Sequence, residues 1–203
     1  MQIIFKEGIK LDKHLLGTLG MLTLILVVGF VSATFSVPAV EPGKGGLRYG
    51  STVCIEYKDG KSGESRLISC SHNTLTNNGK DTIEDVLNST HGANINTIAL
   101  CNSSNTSADG LGNGCTQPLV TDNNLTGEYK ACGLSRAAGT LTDQGNGNFS
   151  EAYTFTATCN SLVTNVTGIF NATGNLYFAG NNFTSVTLQS NDQLTVTWYI
   201  WVS

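Results

Sequence analysis

The chain has 203 residues, of which only 13% are charged, and carries a formal net charge of −4. That length suits one domain with a real core after a short leader. No basic cluster follows Lys13, which argues against nucleic acid as a partner.

The chain opens on an apolar run, Leu15 to Phe35, LLGTLGMLTLILVVGFVSATF, without an ionisable side chain. As a helix its 21 residues would span about 30 Å, enough to cross a hydrocarbon core. Lys6, Lys10 and Lys13 outnumber Glu7 and Asp12 ahead of it, a bias that keeps the N-terminus inside and sends the rest of the chain outward. Val31-Ser32-Ala33 has the small-residue spacing of a signal-peptidase site, so residues 1–33 read as a signal peptide cut after Ala33. A retained single-pass anchor is the alternative. Either way residues 36–203 are expected outside the cell, with membrane contact through the N-terminal segment at least before processing.

Residues 34–50 read as an extended strand and linker, stiffened by Pro38 and Pro42 and loosened by Gly43, Gly45 and Gly46. Phe35, Val37 and Ala39 alternate within it, so one face of an extended strand would carry all three. Residues 51–203 read as the folded domain. All six cysteines lie there, Cys54, Cys70, Cys101, Cys115, Cys132 and Cys159, and six allow 15 pairings. No CxxC or CxxH pair supports zinc, and an exported chain favours disulfides.

Two β-like runs, Ser51 to Lys58 and Ser65 to Cys70, flank Asp59-Gly60-Lys61-Ser62-Gly63, and a turn near Ser62 sets Cys54 opposite Cys70. Asn77-Asn78-Gly79 reads as a turn, and Asp81 to Leu87 as a short helix capped by Asp81, with Ile83, Val86 and Leu87 on its buried face. Asn94 to Cys101 is the next strand. A polar loop follows, which a Cys101–Cys115 bond would close. Gly145 to Asn148 reads as a turn whose pairing sets Cys132 opposite Cys159, Leu134 opposite Ala157, Arg136 opposite Phe155 and Ala138 opposite Tyr153. Arg136 on that apolar face is an anomaly, either a paired buried charge or a sign of a slipped register. Thr164 to Phe170, Asn175 to Ala179 and Phe183 to Leu188 read as strands. The last, Gln193 to Ser203, alternates Leu194, Val196, Trp198, Ile200 and Val202 with polar or aromatic residues. An apolar strand of this kind must be paired centrally or remain an association-prone edge. The whole describes a mainly β protein, an antiparallel β-sandwich of immunoglobulin-like or jelly-roll type with one short helix.

Asn77-Asn78-Gly79-Lys80-Asp81, Ile98-Ala99-Leu100, Gly133-Leu134-Ser135-Arg136-Ala137, Gly168-Ile169-Phe170-Asn171-Ala172 and Asp192-Gln193-Leu194-Thr195-Val196-Thr197-Trp198 occur in an order that resembles small β domains of phage tail fibres. The resemblance covers roughly residues 73–203 and departs at Cys101, where a glycine usually follows Ile-Ala-Leu. With its leader and sequons, the overall plan is similar to archaeal thread- and pilus-like filament subunits joined by donor strands. That resemblance implies a homopolymer in which an N-terminal strand completes a neighbour.

Eight Asn-x-Ser/Thr sequons, at Asn88, Asn102, Asn105, Asn124, Asn148, Asn165, Asn171 and Asn182, mark glycosylation sites in an archaeal or eukaryotic host. Asn102 and Asn105, in the polar loop, are expected to be the most exposed. His14, His72 and His91 form no metal or triad spacing, and no EF-hand, phosphate loop or nucleophile motif is present. Lys130 beside Glu128 is the one candidate for a lysine–asparagine isopeptide bond, and a solvated pair is the simpler reading. No catalytic residue, metal or cofactor is expected.

The function expected is therefore structural: a subunit of an extracellular filament. Phe35, Val37 and Ala39 would be donated to an acceptor edge formed by Leu194, Val196, Trp198, Ile200 and Val202. A membrane-anchored or virion-borne adhesion module, binding host or cell-surface glycans, is the alternative, and an extracellular enzyme the third.

Overall fold

A computed structural model describes residues 48–87, 94–102, 115, 117–172 and 177–202, all within one compact unit, Gly46–Ser203. The apolar leader and the Phe35, Val37 and Ala39 strand lie outside the described residues. Among these, the elements are β1 (Tyr49–Lys58), β2 (Ser65–His72), β3 (Thr74–Leu75), α1 (Asn77–Leu87), β4 (Ile95–Cys101), β5 (Ala137–Ala138), β6 (Thr140–Gly145), β7 (Asn148–Thr156), β8 (Leu162–Asn171), β9 (Tyr177–Leu188) and β10 (Gln193–Val202).

The strands make two antiparallel sheets, A in the order β2-β1-β10-β7-β6 and B in the order β3-β9-β8-β4-β5. Alternation drives the packing: every second residue of β10, from Leu194 to Ile200, is buried, as are Val53 and Ile55 of β1. They meet Ile98, Leu100, Phe178, Val186 and Leu188 of sheet B in one core, which makes the fold a β-sandwich. The opposite face of sheet B carries a second, smaller core of Ala99, Cys101, Cys115, Leu125, Val166, Phe170 and Tyr177. Cys54 is bonded to Cys70, Cys101 to Cys115 and Cys132 to Cys159. The first bond joins residues directly opposite on β1 and β2, and the second ties Cys115 into the outer core.

Four expectations need correction. The helix starts at Asn77, not Asp81, because Thr76 caps it: its buried hydroxyl accepts from Gly79 N at 3.0 Å and donates to Tyr177 O at 2.5 Å. Asn77-Asn78-Gly79 is thus the first helical turn. Residues 177–188 form one strand rather than two, since Asn181, in what reads as a turn, is buried and donates through Nδ2 to His72 O at 2.9 Å.

The hairpin register is off by one. Asn146 (φ 52°) and Gly147 (φ 77°) form a two-residue turn with both residues left-handed, and a bulge precedes it between Asp143 and Gly145. Leu141 therefore pairs with Glu151, while Ala137 and Ala138 leave for sheet B and pair with Ile98 and Thr97. Leu134, Arg136 and Ala138 do not face Ala157, Phe155 and Tyr153. Arg136 is instead a paired charge on the outer core: its Nε and Nη2 donate to Glu128 Oε2 at 2.8 and 2.6 Å, and its guanidinium lies 3.6 Å from the centroid of Phe170. Lys130, the isopeptide candidate, is exposed, and Glu128, the carboxylate near it in sequence, is paired with Arg136.

The fourth correction concerns β10. It is the middle strand of sheet A, hydrogen-bonded to β1 on one side and β7 on the other, so it offers no edge to an incoming strand. Leu194, Val196, Trp198 and Ile200 are covered by sheet B of the same chain.

Candidate functional site

Among the described residues sheet A has two edge strands, β2 and β6, and the inward face of β6 is uncovered. The pairing aligns Val53, Trp198, Glu151 and Leu141 in one row across the sheet. The first three are fully buried, whereas Leu141 is 61% exposed. The reason lies in sheet B. Its outermost strand, β5, is only two residues long before Gly139 carries the chain across to β6, so no strand of sheet B covers β6. In the next row Ser51, Ile200, Phe149 and Asp143 grade from buried to exposed in the same direction.

Beneath Leu141 the sheets part into a cleft of about 680 Å³. Sheet A lines it with Leu141, Phe149, Glu151, Ile200 and Val202, and the facing side supplies Ile95, Phe178 and Ile83 of α1. Tyr49, where the described chain begins β1, stands at the same end, its ring edge-on to Phe178 at 5.7 Å. The pocket is mostly apolar, and among the described residues its charged members are acidic, Glu151 and Asp143.

Glu151 is the chemical peculiarity. The side chain is fully buried, neither carboxylate oxygen has a hydrogen-bond partner among the described residues, and burial pushes its pKa up to about 7. A Cβ placed on Gly139 would come within 2.6 Å of Oε1 and 3.0 Å of Ala152 O, so the crossover lies tightly against this carboxylate. Directly across the strand pair is Trp198, whose buried indole Nε1 also lacks a partner. An unsatisfied buried carboxylate is costly, and native proteins keep few of them.

Sequence reasoning did not single out Glu151, although a signal was present. Counting back in twos from Phe155 through Tyr153 places it on the inward face. Of the residues it did single out, Ile200 and Val202 of the supposed acceptor set line the cleft. The sequons scatter. Asn182 and Asn124 are exposed, Asn148, Asn165 and Asn171 are half-buried, and Asn88 and Asn105 lie outside the described residues. Asn102 is only 2% exposed, which corrects the exposure expected for it: it sits at the end of β4 rather than out in the polar loop. Among the described residues no three His, Cys, Asp or Glu side chains are grouped as metal ligands, and no helix is long and apolar enough to cross a membrane.

No family model, curated protein or solved structure matches the chain.

Proposed function

We propose that this chain is the structural subunit of an extracellular filament, polymerised by insertion of one subunit's N-terminal strand at the free β6 edge of the next. The observation that carries the reading is Leu141, an inward-facing leucine left 61% exposed over an apolar cleft. A strand added to β6 would supply main-chain hydrogen bonds and lay alternate side chains over that cleft. The sequence from Thr34 to Val40 has the needed form, with Phe35, Val37 and Ala39 alternating, and its seven residues match the six of β6. Pro38, which lacks an N–H, falls between them and must point its nitrogen away from the ladder. Sheet B forms part of the wall facing the incoming side chains. Three disulfides are compatible with such a product working in an oxidising, extracellular setting.

Deleting Thr34 to Val40 from the exported chain tests this. The expected result is loss of filaments by electron microscopy while all three disulfides still form. Normal filaments from the deleted chain would overturn it.

A further inference from the structure

We infer that Glu151 is the receptor for a positive charge at the tip of the inserted strand: the α-ammonium group of Thr34, created when a neighbouring subunit's leader is cut after Ala33. The inference rests on the strand-donation reading and adds a specific contact to it. The charge lining the cleft is unbalanced. Among the described residues, those lining it include two carboxylates, Glu151 and Asp143, and no lysine, arginine or histidine. Glu151 is fully buried, and both its oxygens are without a hydrogen-bond partner among the described residues.

What enters should therefore bring apolar side chains together with a hydrogen-bond donor, preferably cationic. The exported N-terminus has both within two residues. Phe35 is the first inward side chain, and a free amine on Thr34 precedes it directly. Lys44 is the other cation in the segment, but it follows Ala39 by five residues, beyond Pro42 and inside the glycine-rich linker. A chain that kept its leader would have no ammonium at this position, so the same contact would reserve the cleft for processed subunits. The carboxyl, pushed up to about 7 by burial, ionises when the cation arrives.

The test is a double cycle on the exported chain beginning at Thr34, prepared with a free or an acetylated N-terminus, each with Glu151 or with Glu151→Gln. The measurement is the critical concentration for filament formation, with thermal melting confirming that every version is folded. Acetylation and Glu151→Gln are each expected to raise the critical concentration about tenfold or more, and the two together by little more than either alone. Effects that multiply, or an acetylated chain that polymerises like the free one, would overturn the contact with Glu151 and leave strand donation standing. Sensitivity to Lys44→Gln in place of acetylation would reassign the cation and likewise overturn it. Filaments that survive deletion of Thr34 to Val40 would remove both readings together.

Discussion

The Tyr57 hydroxyl donates a 2.9 Å hydrogen bond to Asp192 Oδ2 across 135 residues of chain, joining the β1–β2 turn to the β9–β10 turn. Asp192 also accepts from Gln189 N at 2.8 Å and Gly60 N at 2.9 Å. Burial works against its charge, yet these donors hold its carboxyl below the ordinary value, while burial and then Asp192 push the Tyr57 phenol up to about 12. Tyr57→Phe should therefore cost about 1 kcal/mol in urea unfolding. Asp192→Ala should cost more, about 1–3 kcal/mol, because it strands two backbone donors. Since the folded pKa is depressed, this stability is present above pH of about 4 and is lost as the pH falls through the folded value. An Asp192→Asn variant as acid-sensitive as the parent would contradict that assignment.

Arg136 gives a second expectation. Its fork meets Glu128 through two nitrogens and its plane covers Phe170, so both charge and shape matter. Arg136→Ala should destabilise by about 1–3 kcal/mol. Arg136→Lys should recover little of that, because an ammonium offers neither the fork nor the flat stack. Equal stability of the lysine variant and the parent would show that charge alone is at work.

The outer core on sheet B depends on the bond between Cys101 and Cys115, which are 14 residues apart. Replacing both with alanine should lower stability by about 3 kcal/mol through the freedom regained by the unfolded loop. Hydrogen exchange should then show faster opening around Leu125 than around Val196, since the main core is untouched. Uniform acceleration throughout the sandwich would mean that the two cores unfold as one.

Glu151 predicts an unusual pH dependence for the free subunit. Its folded pKa of about 7 lies above the ordinary value of 4.5, so between these the folded state holds a proton that the unfolded state has released. Stability should fall as pH rises through that window, by about 3 kcal/mol at most, and level off above it. Asp143 and Tyr49 also line the cleft, so the comparison is with Glu151→Gln, which should flatten the slope and be the more stable protein at pH 8. A slope unchanged by the substitution would place its origin elsewhere.

Leu141 separates assembly from folding. It is exposed in the subunit, so Leu141→Lys should change stability by no more than about 0.5 kcal/mol. Filament formation should nevertheless be lost, because the lysine would meet the inserted Phe35, Val37 or Ala39. Thr142→Lys, on the opposite face of β6, is the control and should polymerise normally. Filaments from the Leu141 variant would exclude β6 as the acceptor.

Much of the fold was legible because it follows local rules. Strict alternation from Leu194 to Val202 identifies a strand with one buried face, and Asp59 to Gly63 fixes a turn that brings Cys54 and Cys70 together. The even cysteine count and the alternation of the strands point to a disulfide-bonded β protein without any three-dimensional information. Sheet membership is different. Whether Leu194 to Val202 lies at an edge or in the middle depends on β1 and β7, distant in sequence, pairing with its two sides. The one-residue bulge near Gln144 shifts the whole β6–β7 register, and no neighbouring residue announces it. Thr76 caps a helix whose start also reads as a turn, because the cap is held by carbonyls of β9. Glu151 reads as an ordinary polar residue in a strand. Only the assembled sandwich makes it a buried carboxylate without a partner, because a group's solvation is set by what packs over it, and that comes from Gly139, Trp198 and the facing sheet.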